Sequence, residues 1–299
     1  MEEKAHPDEA RRLLHDSARL KTHISQALYT CGEDGPAKQD AIHNSSEASA
    51  VLFLLGEKHG SKDTAPEPYL ILNKRSANVK QAGDLCCPGG GISLPRDARL
   101  GRLLTLPGSS LTRWSFWKSQ KKKGPENTRT LALLLATSLR ESYEEMRLNP
   151  LRVTFMGALP VQLLNTFGRE IHPMVGWASP QRRYALNSEV DSVVWIPLRK
   201  LLDTDNYART RFSMDTIPEN TDHLNYNDYP CFLHRHRDES EILWGATFRI
   251  TMIFLETVFG FRPPAVKSLP LVHGILNRNY LTGDRQRNPP STTGLSSDR

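Results

Sequence analysis

Leu13, Leu14, Leu20, Ile24 and Leu28 fall close to one face at helical spacing, which predicts an amphipathic helix over residues 7–29. Residues 31–46, CGEDGPAKQDAIHNSS, replace that period with turn formers and charge and read as a linker. Ala48 to Leu55 and Tyr69 to Leu72 are apolar and partly β-branched; with the Gly-, Lys- and Pro-containing GEKHGSKDTAPEP between them they predict a two-stranded hairpin. Val153 to Leu159, Ile171 to Ala178 and Val190 to Ile196 predict further strands, the last running into PLRKLL, a proline-started short helix. Leu131 to Leu135 leads into the helix-forming run Thr137 to Pro150, TSLRESYEEMRLNP. Ile242 to Phe261 predicts a long apolar helix, and its Arg249 and Glu256 favour packing in a core over crossing a bilayer. Residues 204–241, and those from about Asn277 onward, lack a period and read as irregular chain and a polar tail. Strands interleaved with helices predict an α/β fold with a mixed sheet.

Composition narrows this only a little. With 299 residues, 38% hydrophobic and 24% charged, the chain can bury one large core with additions. No apolar run approaches the roughly 20 residues of a membrane span, and MEEKAHPDEARRLL has no apolar centre suited to a secretory signal. The expectation is a cytoplasmic protein with no membrane partner. Cys31, Cys86, Cys87 and Cys231 show no CxxC spacing and are expected to be reduced thiols.

Charge changes the picture more. The formal net charge is +6, and residues 92–128 hold eight cations (Arg96, Arg99, Arg102, Arg113, Lys118, Lys121, Lys122 and Lys123) against Asp97 and Glu126. That segment alone supplies the excess, so the basicity is local. It shows no sustained period, and Trp114, Phe116 and Trp117 sit beside the lysines. Such aromatics can stack on bases or cover a ligand, or they can cap the core beneath a surface insertion. No named nucleic-acid motif is present, which weighs against a nucleic-acid partner. His234 and His236 form an HxH with His223 nearby, a pattern that serves a metal or simply solvated or core histidines.

The chemistry concentrates in two stretches. In RESYEEMRL, Glu141 lies one helical turn from Glu144 and Glu145, and Arg140 one turn from Glu144. Three carboxylates on one face repel unless a cation sits over them; a hard divalent ion suits them, and so does a solvated acidic face tied down by Arg140. In GDLCCPGGG, Gly89 to Gly91 let the backbone approach closely, against either a ligand phosphate or a neighbouring helix. Lys74 and Arg75 end a predicted strand, where they can meet phosphates or remain solvated.

RESYEEMRL resembles the second half of the Nudix box, whose pattern is Gly, five residues, Glu, seven residues, then R-E-apolar-x-E-E-x-G-apolar. Arg140, Glu141, Glu144, Glu145 and Leu148 match it. LILNKRSANVKQAGDLCCPGGG is similar to the LLxxRS…GxxxFPGG signature of the coenzyme A pyrophosphatase branch, and EVDSVVWIPLRKLLD and ILWGATFRIT are similar to later segments of that branch. Counted back from Arg140, the earlier glutamate of the box falls on Ala132; Ser142 fills an apolar site and Arg147 replaces the closing glycine.

The resemblance implies a Nudix-type α/β/α sandwich over residues 47–265. Residues 1–46 would form an N-terminal helix and linker, 92–128 a long insertion in the box loop, and 266–299 a tail. It implies hydrolysis of the pyrophosphate bond of a nucleoside diphosphate derivative, with coenzyme A or an acyl-CoA as first candidate. The metal, Mg2+ or Mn2+, would be held by Glu141, Glu144 and Glu145. Glu144 and Glu145 would act in catalysis with Arg140 as orienter, and Lys74, Arg75, Gly89 and Gly90 would contact the nucleotide-type small molecule. Glu189 is a further ligand or base candidate, and a homodimer is compatible with the sequence. The alternative is a Nudix-fold module that binds a nucleotide or regulates without turning it over.

Overall fold

The computed structural model describes residues 7–34, 48–58, 66–164, 169–181, 183–214, 228–236, 239–276 and 280. Two helices, α1 (Pro7–Leu14) and α2 (Ser17–Asp34), open the chain. One helix was expected here. The break falls at His15 and Asp16, because the Asp16 carboxylate accepts the free backbone N–H groups of Ala18 and Arg19 at 3.1 and 3.0 Å and so starts a new helix.

Strands β1 (Ala48–Lys58) and β2 (Glu67–Arg75) form the expected antiparallel hairpin. They are followed by β3 (Leu85–Cys86), β4 (Gly89–Gly91) and three helices, α3 (Leu94–Leu104), α4 (Trp117–Lys122) and α5 (Pro125–Met146). Next come β5 (Val153–Ala158), β6 (Gln162–Leu164), β7 (Arg169–Ala178), β8 (Val190–Pro197) and the short α6 (Leu198–Leu201). The chain continues through β9 (Tyr207–Met214), β10 (Tyr229–His236), β11 (Glu239–Leu243), α7 (Gly245–Phe259) and β12 (Leu271–Leu276).

The main sheet runs β3-β2-β1-β7-β5, with β4 paired to β1, β6 to β7 and β8 to β2. It is mixed: β1 and β7 are parallel and the other pairings antiparallel. Alternation along the strands sends side chains to two cores. Ala50, Leu52, Leu54, Ile71 and Met174 face Leu131, Leu134 and Leu135 of α5. Phe53, Leu55, Leu70, Leu72 and Val175 face the other way, against Leu20, Ile24 and Leu28 of α2 and Ile250, Phe254 and Leu255 of α7. The result is an α/β/α sandwich. Phe53 and Phe254 sit at its centre with ring centroids 4.6 Å apart; emptying either position would cost about 3–5 kcal/mol.

Beyond the break in the N-terminal helix, the structure departs from the sequence expectation in three places. Much of 204–241 is ordered into β9, β10 and β11, and with β12 these make a second sheet in the order β11-β10-β9-β12. Its strands mix charged and polar residues such as Arg209, Thr210, Arg211 and His234 to His236 with apolar ones and so lack a strong apolar signal. The long apolar stretch from Ile242 divides, because Leu243 ends β11 and Gly245, at φ +66°, turns the chain into α7. Among the described residues no helix is long and apolar enough to cross a membrane. The expected tail contains β12, parallel to β9, and Tyr280, whose hydroxyl donates to Asp84 at 2.6 Å. Residues 215–227, with His223, and 281–299 lie outside the described residues.

Candidate active site

Helix α5 starts at Pro125 after Gly124, whose φ of +122° suits glycine, and its apolar stripe lays it on β1. Its last turn therefore reaches the rim of the sheet where β2, β3 and β4 end. There the Asn73 side-chain amide donates to Glu145 at 2.8 Å, and the Gly89 backbone N–H donates to the same carboxylate. Gly90 approaches Glu141 so closely that a Cβ at this position would lie 2.6 Å from the carboxylate carbon. Any side chain here would displace the Glu141 carboxylate from its place against Arg140. Gly89, at φ +156°, is excluded from other residues for a different reason, since its Cβ would sit 2.5 Å from the Ala50 carbonyl oxygen. The glycine run thus packs against the acidic helix, and the sequence alone could not choose between that and a phosphate turn.

Arg140 is the hub on the opposite flank of the turn. Its guanidinium pairs with Glu141 at 2.9 Å and Glu144 at 3.0 Å, donates to the Gly91 carbonyl at 3.0 Å, and grips both oxygens of Asp97 at 2.6 and 3.1 Å. Asp97 is fully buried and also accepts the Ser93 backbone N–H at 2.7 Å and the Thr137 hydroxyl at 2.8 Å. Burial alone would raise its pKa, but the hydrogen bonds from Arg140, Ser93 and Thr137 outweigh it and hold the carboxyl below the usual range.

Glu145 shows the reverse. Burial pushes its pKa up, the charges of Glu141 and Glu189 add to the rise, and the donors Asn73 and Gly89 only partly offset it, leaving a value of about 8. Glu141 is raised as well, chiefly by burial and against the pull of Arg140. Glu144 is the more open acid, with 42% of its side chain exposed. The Asn73 side-chain oxygen is buried with no hydrogen-bond partner, a second oxygen donor beside Glu145 that lacks a cation or proton to meet.

The helix end keeps the shape that a closing glycine would give. Arg147 adopts the left-handed conformation at φ +54°, its N–H bonds to the Tyr143 carbonyl at 3.0 Å, and the Leu148 N–H reaches the Ser142 carbonyl at 3.4 Å. The Arg147 guanidinium lies 4.9 Å from the Tyr143 ring centroid, and Gln181 donates to the Arg147 carbonyl at 3.0 Å. Ser142 is buried and returns its hydroxyl to the Ser138 carbonyl at 2.6 Å, which explains how a polar residue occupies an apolar site.

The chain is similar to curated bacterial proteins. It is 29% identical over 144 residues to the uncharacterized Nudix hydrolase NudL of Cronobacter sakazakii, covering 48% of this chain and 56% of that protein. NudL of Klebsiella pneumoniae strain 342 is 28% identical over the same coverage, and NudL of Escherichia coli strain HS is 27% identical. Each carries the family name that the box suggests. The chain spans about half the length of these relatives. No protein-family model matches the chain. Among solved structures, an Ap4A hydrolase of C. elegans in a binary complex aligns at 12% identity and a TM-score of 0.30, covering 52% of this chain and 82% of that one. The Nudix domain of Shewanella oneidensis NrtR complexed with ADP ribose aligns at 12% identity and a TM-score of 0.30, covering 58% and 85%.

The structure therefore brings Arg140, Glu141, Glu144, Glu145, Gly89 and Gly90 together, with the Glu189 charge nearby. Lys74 and Arg75 lie at the end of β2, each with a partner: Lys74 pairs with Glu241 of β11 at 2.6 Å, and Arg75 donates to the Lys80 carbonyl at 2.7 Å. Among the described residues no three His, Cys, Asp or Glu side chains already converge as a metal cage, and His234 and His236 stack without a third ligand. Two members of the site escaped the sequence reading. Asn73 looked like a strand-end polar residue. Asp97 lies on α3, 43 residues before Arg140, so no spacing along α5 points to it.

Proposed function

We propose that this chain is a Nudix-type hydrolase that cleaves the pyrophosphate bond of a nucleoside diphosphate derivative with a divalent cation, Mg2+ or Mn2+. The observation that carries the reading is Glu145, a carboxylate held near Glu141 with only neutral donors for company and a pKa raised to about 8. An acid so placed is stabilised by a cation far more than by water or a proton donor. The donor set is all oxygen, which suits Mg2+ or Mn2+. Glu141, Glu144 and Glu145 would hold the ion, with Asn73 beside them; when bound, such an ion neutralises diphosphate charge and acidifies water.

The chain's own groups supply the rest. Glu144, the exposed acid, is placed to accept a proton from the attacking water. Arg140, pinned by Asp97, sets the orientation of Glu141 and Glu144. Gly89 and Gly90 keep the floor of the site thin. Lys74 and Arg75 contact substrate phosphates by exchanging Glu241 and the Lys80 carbonyl for phosphate oxygens. Coenzyme A or an acyl-CoA is the first candidate substrate, a choice that rests on the resemblance around residues 70–91.

Incubation of wild type, Glu144→Gln and Glu145→Gln with a panel of dinucleotides, coenzyme A and acyl-CoA, with products read by mass spectrometry, tests this. The expectation is hydrolysis by wild type with Mg2+ or Mn2+ and a loss of at least a hundredfold in each variant. No product from wild type on any substrate, or full activity in both variants, refutes it. A second reading, a nucleotide-binding module without turnover, is favoured only by the hold of Arg140 on Glu141 and Glu144; calorimetric binding without product would select it.

A further inference from the structure

The segment that supplies the chain's excess charge is folded so that its charge all faces outward. Arg96, Arg99, Arg102, Arg113 and the lysines of α4 are exposed; Lys123 lies over the Tyr29 ring, and none of the other seven cations has an acidic partner among the described residues. Of the two acids in the segment, Asp97 is withdrawn entirely, fully buried and bound to Arg140. Only Glu126 is left at the surface to offset eight cations.

The same outer face is apolar where it should be polar. Helix α3 buries Asp97 and Gly101 against α5, Gly101 sitting so close that a Cβ would lie 3.2 Å from the Ala132 backbone. At 100° per residue the opposite side presents Arg96, Arg99 and Arg102 with Leu103, Leu100 lies on its flank, and Leu106 follows just past the helix end. Those leucines are 39%, 58% and 54% exposed. A single exposed leucine means little; three spaced by three residues and ringed by arginines form a patch.

We propose that the outer face of α3 docks on the surface of an anionic phospholipid bilayer. Arginines meet the headgroup phosphates while Leu100, Leu103 and Leu106 enter the boundary between headgroups and acyl chains. Charge decides against a second copy of the chain, because two such faces would set arginine against arginine. The leucines decide against nucleic acid, whose phosphates would satisfy the cations and leave the apolar stripe in water. That no helix among the described residues is long and apolar enough to span a bilayer bears on crossing one and not on lying against it. Because Asp97 and Arg140 tie α3 to the last turns of α5, docking would hold the acidic site at a fixed distance from the membrane.

Co-sedimentation of the full chain with vesicles of phosphatidylcholine, with and without roughly one third phosphatidylserine, tests the proposal. Binding is expected only to the anionic vesicles and should weaken as salt rises. R96Q/R99Q should lower partitioning roughly 25-fold, and L100S/L103S at least tenfold. All four positions are exposed and outside the acidic site, so an unchanged thermal melt confirms that each variant folds. Equal binding to neutral vesicles, or no binding to anionic ones, overturns the proposal. Full binding by L100S/L103S also overturns it, and tight, salt-sensitive binding of an RNA oligomer by that variant would show a plain polyanion surface instead.

Discussion

The last turns of α5 meet one acid on each flank, the buried Asp97 of α3 and the half-buried Glu145 of α5 itself, and the two are treated in opposite ways. On the α3 side, Asp97 receives a guanidinium, a backbone N–H and a hydroxyl, and its pKa falls. On the rim of the sheet, Glu145 receives a side-chain amide and one backbone N–H, faces Glu141, and its pKa climbs to about 8. Burial is common to both. The difference is whether donors saturate the charge, and it separates a group that holds the structure from one that stays available for a cation.

The sharpest way to break the contrast is Asp97→Ala. It strips Arg140 of its bidentate partner in a buried setting and should cost about 3 kcal/mol or more in urea unfolding. The lowered pKa of Asp97 means that its stabilisation is present above the ordinary carboxylate range and is lost as pH falls through its own, lower value.

Glu145 titrates with the opposite sign. Its folded pKa lies above the unfolded 4.5, so the folded state holds the extra proton, and stability should fall as pH rises from about 4.5 to about 8 and then level off. Glu145→Gln should flatten that slope and leave the metal-free protein about 1–3 kcal/mol more stable above pH 8. Mg2+ or Mn2+ at 100 times its dissociation constant should stabilise wild type by about 2.7 kcal/mol and the variant far less, which differential scanning calorimetry would measure.

Smaller changes sharpen the comparison. Asn73→Ala removes one of the two donors to Glu145 and should move the midpoint of its titration, followed by NMR, further up by roughly one unit. Arg147→Gly relieves a left-handed residue at the end of α5 while giving up the contact with Tyr143; a gain of about 0.5 kcal/mol in unfolding free energy is expected, with no change in the Glu145 titration.

Local pattern was enough for the hairpin of β1 and β2, for β5, β7 and β8, and for the acidic turn, because period and spacing are properties of neighbouring residues. Leu52 and Phe53 face opposite cores simply because strands alternate. The second sheet was not legible: β9 and β10 mix Arg209, Arg211, Ser213, Arg235 and His236 with their apolar residues, and they pair across an intervening stretch of irregular composition. Nor was the meaning of RExxEE. Three glutamates on one helical face follow from the sequence, but their inequality does not. Asp97, 43 residues before Arg140, decides which acids share a guanidinium, and Asn73, 72 residues before Glu145, decides what meets the remaining one. The sequence by itself determined the helix, its carboxylates and the glycines beside them. Only the tertiary structure decided which carboxylate is saturated with donors and which is left short of them in a half-buried place, because desolvation and hydrogen-bond supply are set by what the fold packs around each group.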